Sequence, residues 1–508
     1  MQSIKYIFKK YPLHPLFVAL FPVIALLAAN IDKTPVSHAI NPALVSMLGA
    51  LVVWGVLYIM TRSYRTSALA VSWFLVLFFS YGYFYTLIGE TVRHRYVLAL
   101  WGLLLCGGVF YAYRPKASHR TITMIANIMA VVLVALSLLQ IAAYKIRTFI
   151  TDPPLSDHIA AFDYGIVTRP EVLPDIYYII IDAYASEWSF KEFFNFDISE
   201  FTSYLTRLGF YVVPKSTSNY SKTIYSLSSQ LNMEYLDTIV GLRYEEEKLG
   251  KLLENNRLIH FMNQQGYHTI HIGSPWTPTL NNRYADENIN YQPVPFGTEF
   301  SLILYNTTVL ETVTEAMDLL DHRKVQWKRI QHEFDELERI ASRPESTYVF
   351  AHLEIPHHPY VFDTDGSFVP ANIENGREEK ENYVRQVRYL NTKLTRLVDH
   401  IFEESDTSPI IIIQSDHGSG ITPDNGVLTL EGARRDFIFQ EGMRNFSALF
   451  LPGKRHLVLS ETLTPVNVVR IVLNEYFGTN LDMLPNKNFF KVTDVPGFIE
   501  ATDIVQYK

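Results

Sequence analysis

Residues 176–184 read IYYIIIDAY. Six consecutive β-branched or aromatic residues, with nothing polar on either alternating face, describe a strand buried on both sides. Such strands belong to parallel sheets, because crossover connections lay helices over both faces. The run stops at Asp182, at the carboxyl end of the strand, the edge along which open α/β sheets bind ligands. One stretch thus predicts an architecture and a first candidate site residue.

The same alternation continues downstream. Strands are expected at 269–272, 348–353, 410–413 and 448–451, and helices around 255–265, 325–341, 378–403 and 464–476. Residues 197–208 read as a helix with Asp197 and Glu200 as a capping-box-like start and Phe201, Tyr204, Leu205 and Leu208 on one face. Residues 175–508 are therefore expected to form an α/β domain, its mostly parallel sheet covered by helices on both faces. Before it, 146–174 holds Pro153, Pro154, Pro170 and Pro174 and reads as a linker.

Three groups fall at strand ends. Asp182 ends the first, Asp416 and His417 follow IIIIQ in SDHGSG, and His357 and His358 follow FAHLEI in PHHPY. Gly418 and Gly420 permit a tight turn after the Asp–His pair. Carboxylates with an imidazole supply oxygen and nitrogen ligands suited to zinc or manganese, with magnesium also compatible. A lone Asp after a strand is as readily a cap or turn residue; the three groups together point to one divalent metal ion. Between them, 219–232 reads NYSKTIYSLSSQLN, and Ile224, Leu227 and Leu231 suggest a helix starting near Thr223. A hydroxyl at a helix N-terminus faces unpaired N–H groups and the positive end of the dipole, which favour an alkoxide or a phosphate. Metal coordination lowers its pKa further and makes a nucleophile. Spacing alone does not choose Thr223 over Ser221 or Ser226.

Before about residue 145 the chain changes character. Five apolar stretches, at 12–30, 38–60, 67–88, 95–113 and 121–144, approach or reach the ~20 helical residues a bilayer core requires. Pro12, Pro15 and Pro22, and the lack of a small-residue cleavage site, set the first apart from a signal peptide. Lys5, Lys9, Lys10, Arg62, Arg65, Arg114, Lys116 and Arg120 fall on one side, against Lys33, Arg93 and Arg95 in the short loops of the other, where Lys145 and Arg147 also follow the last span. The positive-inside bias then puts the N-terminus in the cytoplasm. An odd number of spans carries everything after residue 145 to the periplasmic or extracellular face of an inner or plasma membrane. The spans hold few ionisable residues, which favours anchoring over transport, and Arg93 and Arg95 read as interfacial snorkelling. The net charge of −8 speaks against nucleic acid. The single cysteine, Cys106, lies inside an apolar run, which excludes an intrachain disulfide and thiol catalysis.

With IIIDAY, SKTIYS, PHHPY and SDHGSG in order along the soluble half, the sequence resembles the sulfatase-like branch of the alkaline phosphatase superfamily. Within it the likeness is to lipoteichoic acid synthases and lipid A phosphoethanolamine transferases, which share five N-terminal spans and an outward catalytic domain. The resemblance implies Asp182, Thr223, Asp416 and His417 as metal ligands, Thr223 as nucleophile, and His357 as the phosphate contact, with His358 as a competitor. The phosphoethanolamine transferases carry another His some dozen residues beyond the Asp–His pair. The stretch ITPDNGVLTLEGARRDF has none, leaving Arg434 or Arg435 to bring positive charge to a phosphate, or simply to be solvated. True sulfatases use a modified Cys or Ser in a Cys/Ser-x-Pro-x-Arg motif, which the Thr223 segment lacks. The implied activity moves a phospho-headgroup, phosphoglycerol or phosphoethanolamine, from a membrane phospholipid to a glycan or glycolipid through a phospho-threonine. A membrane-tethered phosphodiesterase or phosphatase using the same site, and a non-catalytic scaffold, are the alternatives.

Overall fold

The computed structural model describes residues 2–88, 92–113, 119–151, 162–240, 246–291, 298–317, 321–424, 427–430, 432–454, 457–492 and 497–507. Pro153 and Pro154 of the linker and the basic Arg114 and Lys116 lie outside the described residues. The chain divides into two compact units, Met1–Pro153 with Val294–Asp321, and Pro154–Pro293 with His322–Lys508.

In the first unit, helices within Val36–Thr61, Tyr64–Leu87, His94–Tyr113 and His119–Thr148 are long and apolar enough to cross a membrane. The chain is an integral membrane protein. The stretch expected to span first is a shorter helix, His14–Ala29, preceded by Gln2–Lys10. Its 16 residues rise only about 24 Å, against a hydrocarbon core of about 30 Å. The chain breaks at Pro12, and buried Asn127 closes the break. Its side-chain oxygen accepts from the Leu13 and His14 N–H groups at 2.8 and 2.7 Å, while its amide donates to the Phe8 and Tyr11 carbonyls. Backbone groups that a helix end leaves open are thereby satisfied.

Val294–Asp321, which its place in the sequence assigns to the soluble domain, packs in the membrane unit. Its helices are Glu299–Asn306 and Val309–Ala316. Phe300 and Leu304 join Ala19, Val23, Leu27, Val71 and Leu75 in one apolar cluster. The Gly82 N–H donates to the Thr307 carbonyl at 3.0 Å. A Cβ at Gly82 would sit 2.2 Å from the Asn306 carbonyl oxygen, so only glycine allows this approach.

The second unit is built on a seven-stranded sheet: β1 Ile176–Ile181, β2 Tyr211–Val212, β3 His268–Ile272, β4 Glu287–Ile289, β5 Thr347–Leu353, β6 Ile410–Gln414 and β7 Ser447–Phe450, in the order β2-β7-β6-β1-β5-β3-β4. The four pairings among β6, β1, β5, β3 and β4 are parallel; β7 runs antiparallel to β6 and to β2. The sheet is mixed, with its centre as the β1 sequence requires. Tyr177, Ile179 and Ile181 enter one core with the helices His322–Ala341 and Glu379–Glu404, and Ile176, Tyr178 and Ile180 enter the other with Thr223–Asn232 and Pro465–Phe477. The helix expected at 197–208 begins two residues later, at Ser199. Asp197 accepts from the Ser199 N–H in a local turn, and that bond competes with a cap. The two- and three-residue strands β2 and β4 are too short to leave a period in the sequence.

Candidate metal centre

Strand register brings the site together. Ile176 pairs with Ile410 on β6 and with Tyr348 on β5, and the register runs unbroken to Ile180↔Gln414 and Ile181↔Leu353. Carried onward, it sets Asp182 beside Asp416 on one flank and Glu354 on the other. Asp182 and Asp416 are buried, and one ligand atom each of Asp182, Asp416 and His417 lies within 4.8 Å of the others. The His417 Nε2 is 3.6 Å from Asp182 Oδ1 and 3.4 Å from Asp416 Oδ2. Neither oxygen has a hydrogen-bond partner among the described residues. Buried polar atoms are ordinarily satisfied, and two unpartnered carboxylate oxygens converging on one imidazole nitrogen form a donor set that could hold a divalent cation.

The ligands are held from behind. His417 Nδ1 lies 2.7 Å from the Gly418 carbonyl; a carbonyl only accepts, so Nδ1 donates there and Nε2 is the ring nitrogen that faces the carboxylates. Gly418 is required there, since a Cβ would lie 2.1 Å from the Glu441 carbonyl oxygen. The other Asp416 oxygen accepts from the Ala183 N–H. The following loop is pinned where buried Glu441 accepts from Ser419 Oγ and the Ile421 N–H, and by an ion pair between Asp424 and Lys222 at 3.2 Å.

Lys222 precedes the helix Thr223–Asn232 and offers its N-terminus no side-chain cap. Thr223 Oγ1 lies 3.3 Å from His417 Nε2. The two serines that spacing leaves open are engaged elsewhere. Ser226 donates to the Asp416 carbonyl, and Ser221 accepts from the Lys491 N–H at 2.8 Å. Thr223 is thus the hydroxyl of the three that joins Asp182, Asp416 and His417.

His357 is solvent-exposed, its Nδ1 bonded to the His358 carbonyl. Desolvation lowers its pKa, but the Asp182 carboxylate, followed by Glu354, outweighs this and the net shift is upward. His358 turns to Glu374 instead, with Nε2 3.5 Å from Oε1. Arg434 is exposed, and Arg435 meets Asp436 at 3.2 Å. Among the described residues no hydrogen bond or ion pair links either arginine to the cluster.

Sequence reasoning missed two supports. His352, buried on β5, stands 3.5 Å from Asp182 Oδ2, with its Nδ1 2.8 Å from Thr279 Oγ1. Burial would raise the Asp182 pKa, yet His357, His352 and His417 together hold it well below the ordinary carboxylate range. A histidine inside an otherwise apolar strand was the available signal. The Tyr383 hydroxyl donates to the Ala183 carbonyl at 2.8 Å and accepts from the Ala185 N–H at 3.1 Å. It clamps the turn after Asp182, where Ala183 takes a left-handed φ of 64°. Nothing local to Tyr383 marks that role.

A mixed α/β sheet with a buried Asp–Asp–His cluster at the ends of adjacent parallel strands defines the class. The sequence model of the Sulfatase family matches residues 178–444, more than half of the chain, and the protein belongs to that family. Among solved structures, it is similar to the C-terminal periplasmic domain of EcEptC from Escherichia coli, at 12% identity over 66% of this chain and 96% of that one, with a TM-score of 0.41. It is also similar to the integral membrane protein lipooligosaccharide phosphoethanolamine transferase A (EptA) from Neisseria meningitidis, at 12% identity over 91% and 94%, with a TM-score of 0.37. No curated protein matches.

Proposed function

We propose that the protein is a metal-dependent transferase that moves a phospho-headgroup from a membrane phospholipid to a hydroxyl of a glycan or glycolipid. The observation that carries the reading is the Thr223 hydroxyl, at a helix N-terminus and 3.3 Å from His417 Nε2, beside two buried carboxylate oxygens without partners. Asp182, Asp416, His417 and Thr223 would hold one divalent cation, zinc or manganese by donor type, which when bound supplies Lewis-acid acidification of the threonine hydroxyl. Thr223 Oγ attacks the donor phosphorus. A Thr–O–P ester forms, the bond from phosphorus to the diacylglycerol oxygen breaks, and the threonine proton ends on the released diacylglycerol. The acceptor hydroxyl then attacks the same phosphorus and Thr223 leaves with a proton, so the enzyme is regenerated. N–H groups at the start of the helix favour the developing charge. His357, drawn toward its protonated form by Asp182 and Glu354, stabilises the phosphoryl oxygens or handles the proton. Membrane tethering raises the effective concentration of a lipid donor.

The test is incubation of the full-length protein with headgroup-labelled phospholipid and an envelope glycolipid extract. Conjugated headgroup is expected from the wild type and none from Thr223→Ala, with a phospho-headgroup adduct on Thr223 in intact mass. Full activity in Thr223→Ala would refute the covalent step. Free headgroup phosphate without conjugate would establish the phosphodiesterase instead.

A further inference from the structure

The membrane unit contains a cavity of about 360 Å³. It lies between the helices Ile40–Thr61 and Tyr64–Leu87 and is walled on a third side by Glu299–Asn306 and the turn after it, through Ser301, Leu304, Tyr305 and Thr308. We infer that this cavity binds one acyl chain of a membrane phospholipid, and that the 294–321 excursion exists to build it.

Four observations converge on that occupant. The lining on the first helix runs from Asn41 to Val53, about 18 Å at 1.5 Å per residue. That is close to the depth of one leaflet of a ~30 Å hydrocarbon core, the distance an acyl chain covers. The walls are mostly hydrocarbon and aromatic, with Phe74, Phe78, Phe79, Ala50 and Val53 among them, and a minority of polar groups such as Asn41 and Ser46. Outside the lining, Leu44, Leu48 and Val52 on the same helix are exposed, apolar side chains suited to face lipid. Gly49 lines the space, and a Cβ there would meet nothing within 4 Å, so a larger side chain can be built into it. Finally, the third wall is anchored and not loosely apposed. Gly82 donates from its backbone to Thr307, and Gly82 is the residue whose missing side chain admits Asn306. A layer of annular lipid needs no such wall, whereas a chain held in register does, because enclosure on three sides gives it dispersion contacts that bulk lipid lacks. The inference builds on the proposed function for the class of lipid, but its readout is binding, so transfer can fail while it stands.

The experiment is native mass spectrometry of the full-length protein, extracted in mild detergent and exposed to dioleoylphosphatidylglycerol or dioleoylphosphatidylethanolamine. The wild type is expected to retain a phospholipid after delipidation, and Gly49→Phe, which fills the space, to lose it. Gly55→Phe, on the same helix where a Cβ likewise meets nothing within 4 Å but outside the lining, is expected to retain it. Equal retention by Gly49→Phe and the wild type, or no retention by the wild type, overturns the proposal. Should Gly49→Phe fail to fold, a phospholipid with a diazirine in its acyl chain is photolysed on the wild type. Labels within 41–53, 74–79 or 301–310 support the cavity, and labels confined elsewhere overturn it.

Discussion

Replacing Tyr383 with phenylalanine removes one oxygen and leaves the ring, which is buried and stacked on Phe190 with centroids 5.8 Å apart. That oxygen satisfies the Ala183 carbonyl and the Ala185 N–H. Each buried group left without a partner costs about 1–3 kcal/mol, so the pair amounts to about 2–4 kcal/mol once local relaxation is allowed. The lost hydroxyl also releases a turn under strain, since Ala183 at φ 64° stands about 1–2 kcal/mol above an ordinary conformation. Relaxation there turns the backbone next to Asp182, so the carboxylate no longer meets Asp416 and His417 in one place. Supporting contacts of this kind are worth about 10–100-fold in metal affinity. Thermal unfolding of the full-length protein in detergent should show a lower Tm for Tyr383→Phe, and competition with a chromogenic chelator should show weaker metal binding. A variant with reduced Tm but undiminished metal affinity would refute the claim that Tyr383 positions Asp182.

Two further outcomes follow from charges away from the centre. Arg323 and Glu374 form a buried ion pair, and the same guanidinium bonds the Tyr360 and Val369 carbonyls, so Arg323→Met should destabilise by about 3–5 kcal/mol, read as a fall in Tm, whereas an unchanged Tm would refute that pair as a support of the fold. Asp363 is lowered to about 2: burial opposes the shift, and the Thr364 N–H, Arg385 and Arg377 together outweigh it. A folded-state pKa below the unfolded value of about 3.9 means this contribution is present above pH ~4 and fades as pH falls toward 2. The Tm difference between wild type and Asp363→Asn should therefore shrink over that window, and a constant difference would exclude the linkage.

Much of the molecule is legible in the sequence because its signals are local. The double-faced burial of 176–181 specifies a central strand, and both flanking cores take alternate residues of it as that pattern demands. The placing of Asp182, Asp416 and His417 after strands, and of Thr223 at the start of a helix, follows from periodicity and from the polar residues that interrupt it. Other features depend on which distant segments meet. That Thr223 and not Ser221 or Ser226 joins the cluster depends on the register of β1 with β6 and on the competing bonds to Lys491 and Asp416, made across 270 and 190 positions of sequence. His352 and Tyr383 become supports of Asp182 only once β5 and the helix Glu379–Glu404 are packed. The return of 294–321 to the membrane unit rests on a bare Gly82 backbone meeting Asn306 and Thr307, and no window along the chain contains that contact. Periodicity reports how each segment is buried. Which segment buries it is settled by packing between residues far apart in sequence, and there the tertiary structure alone decides.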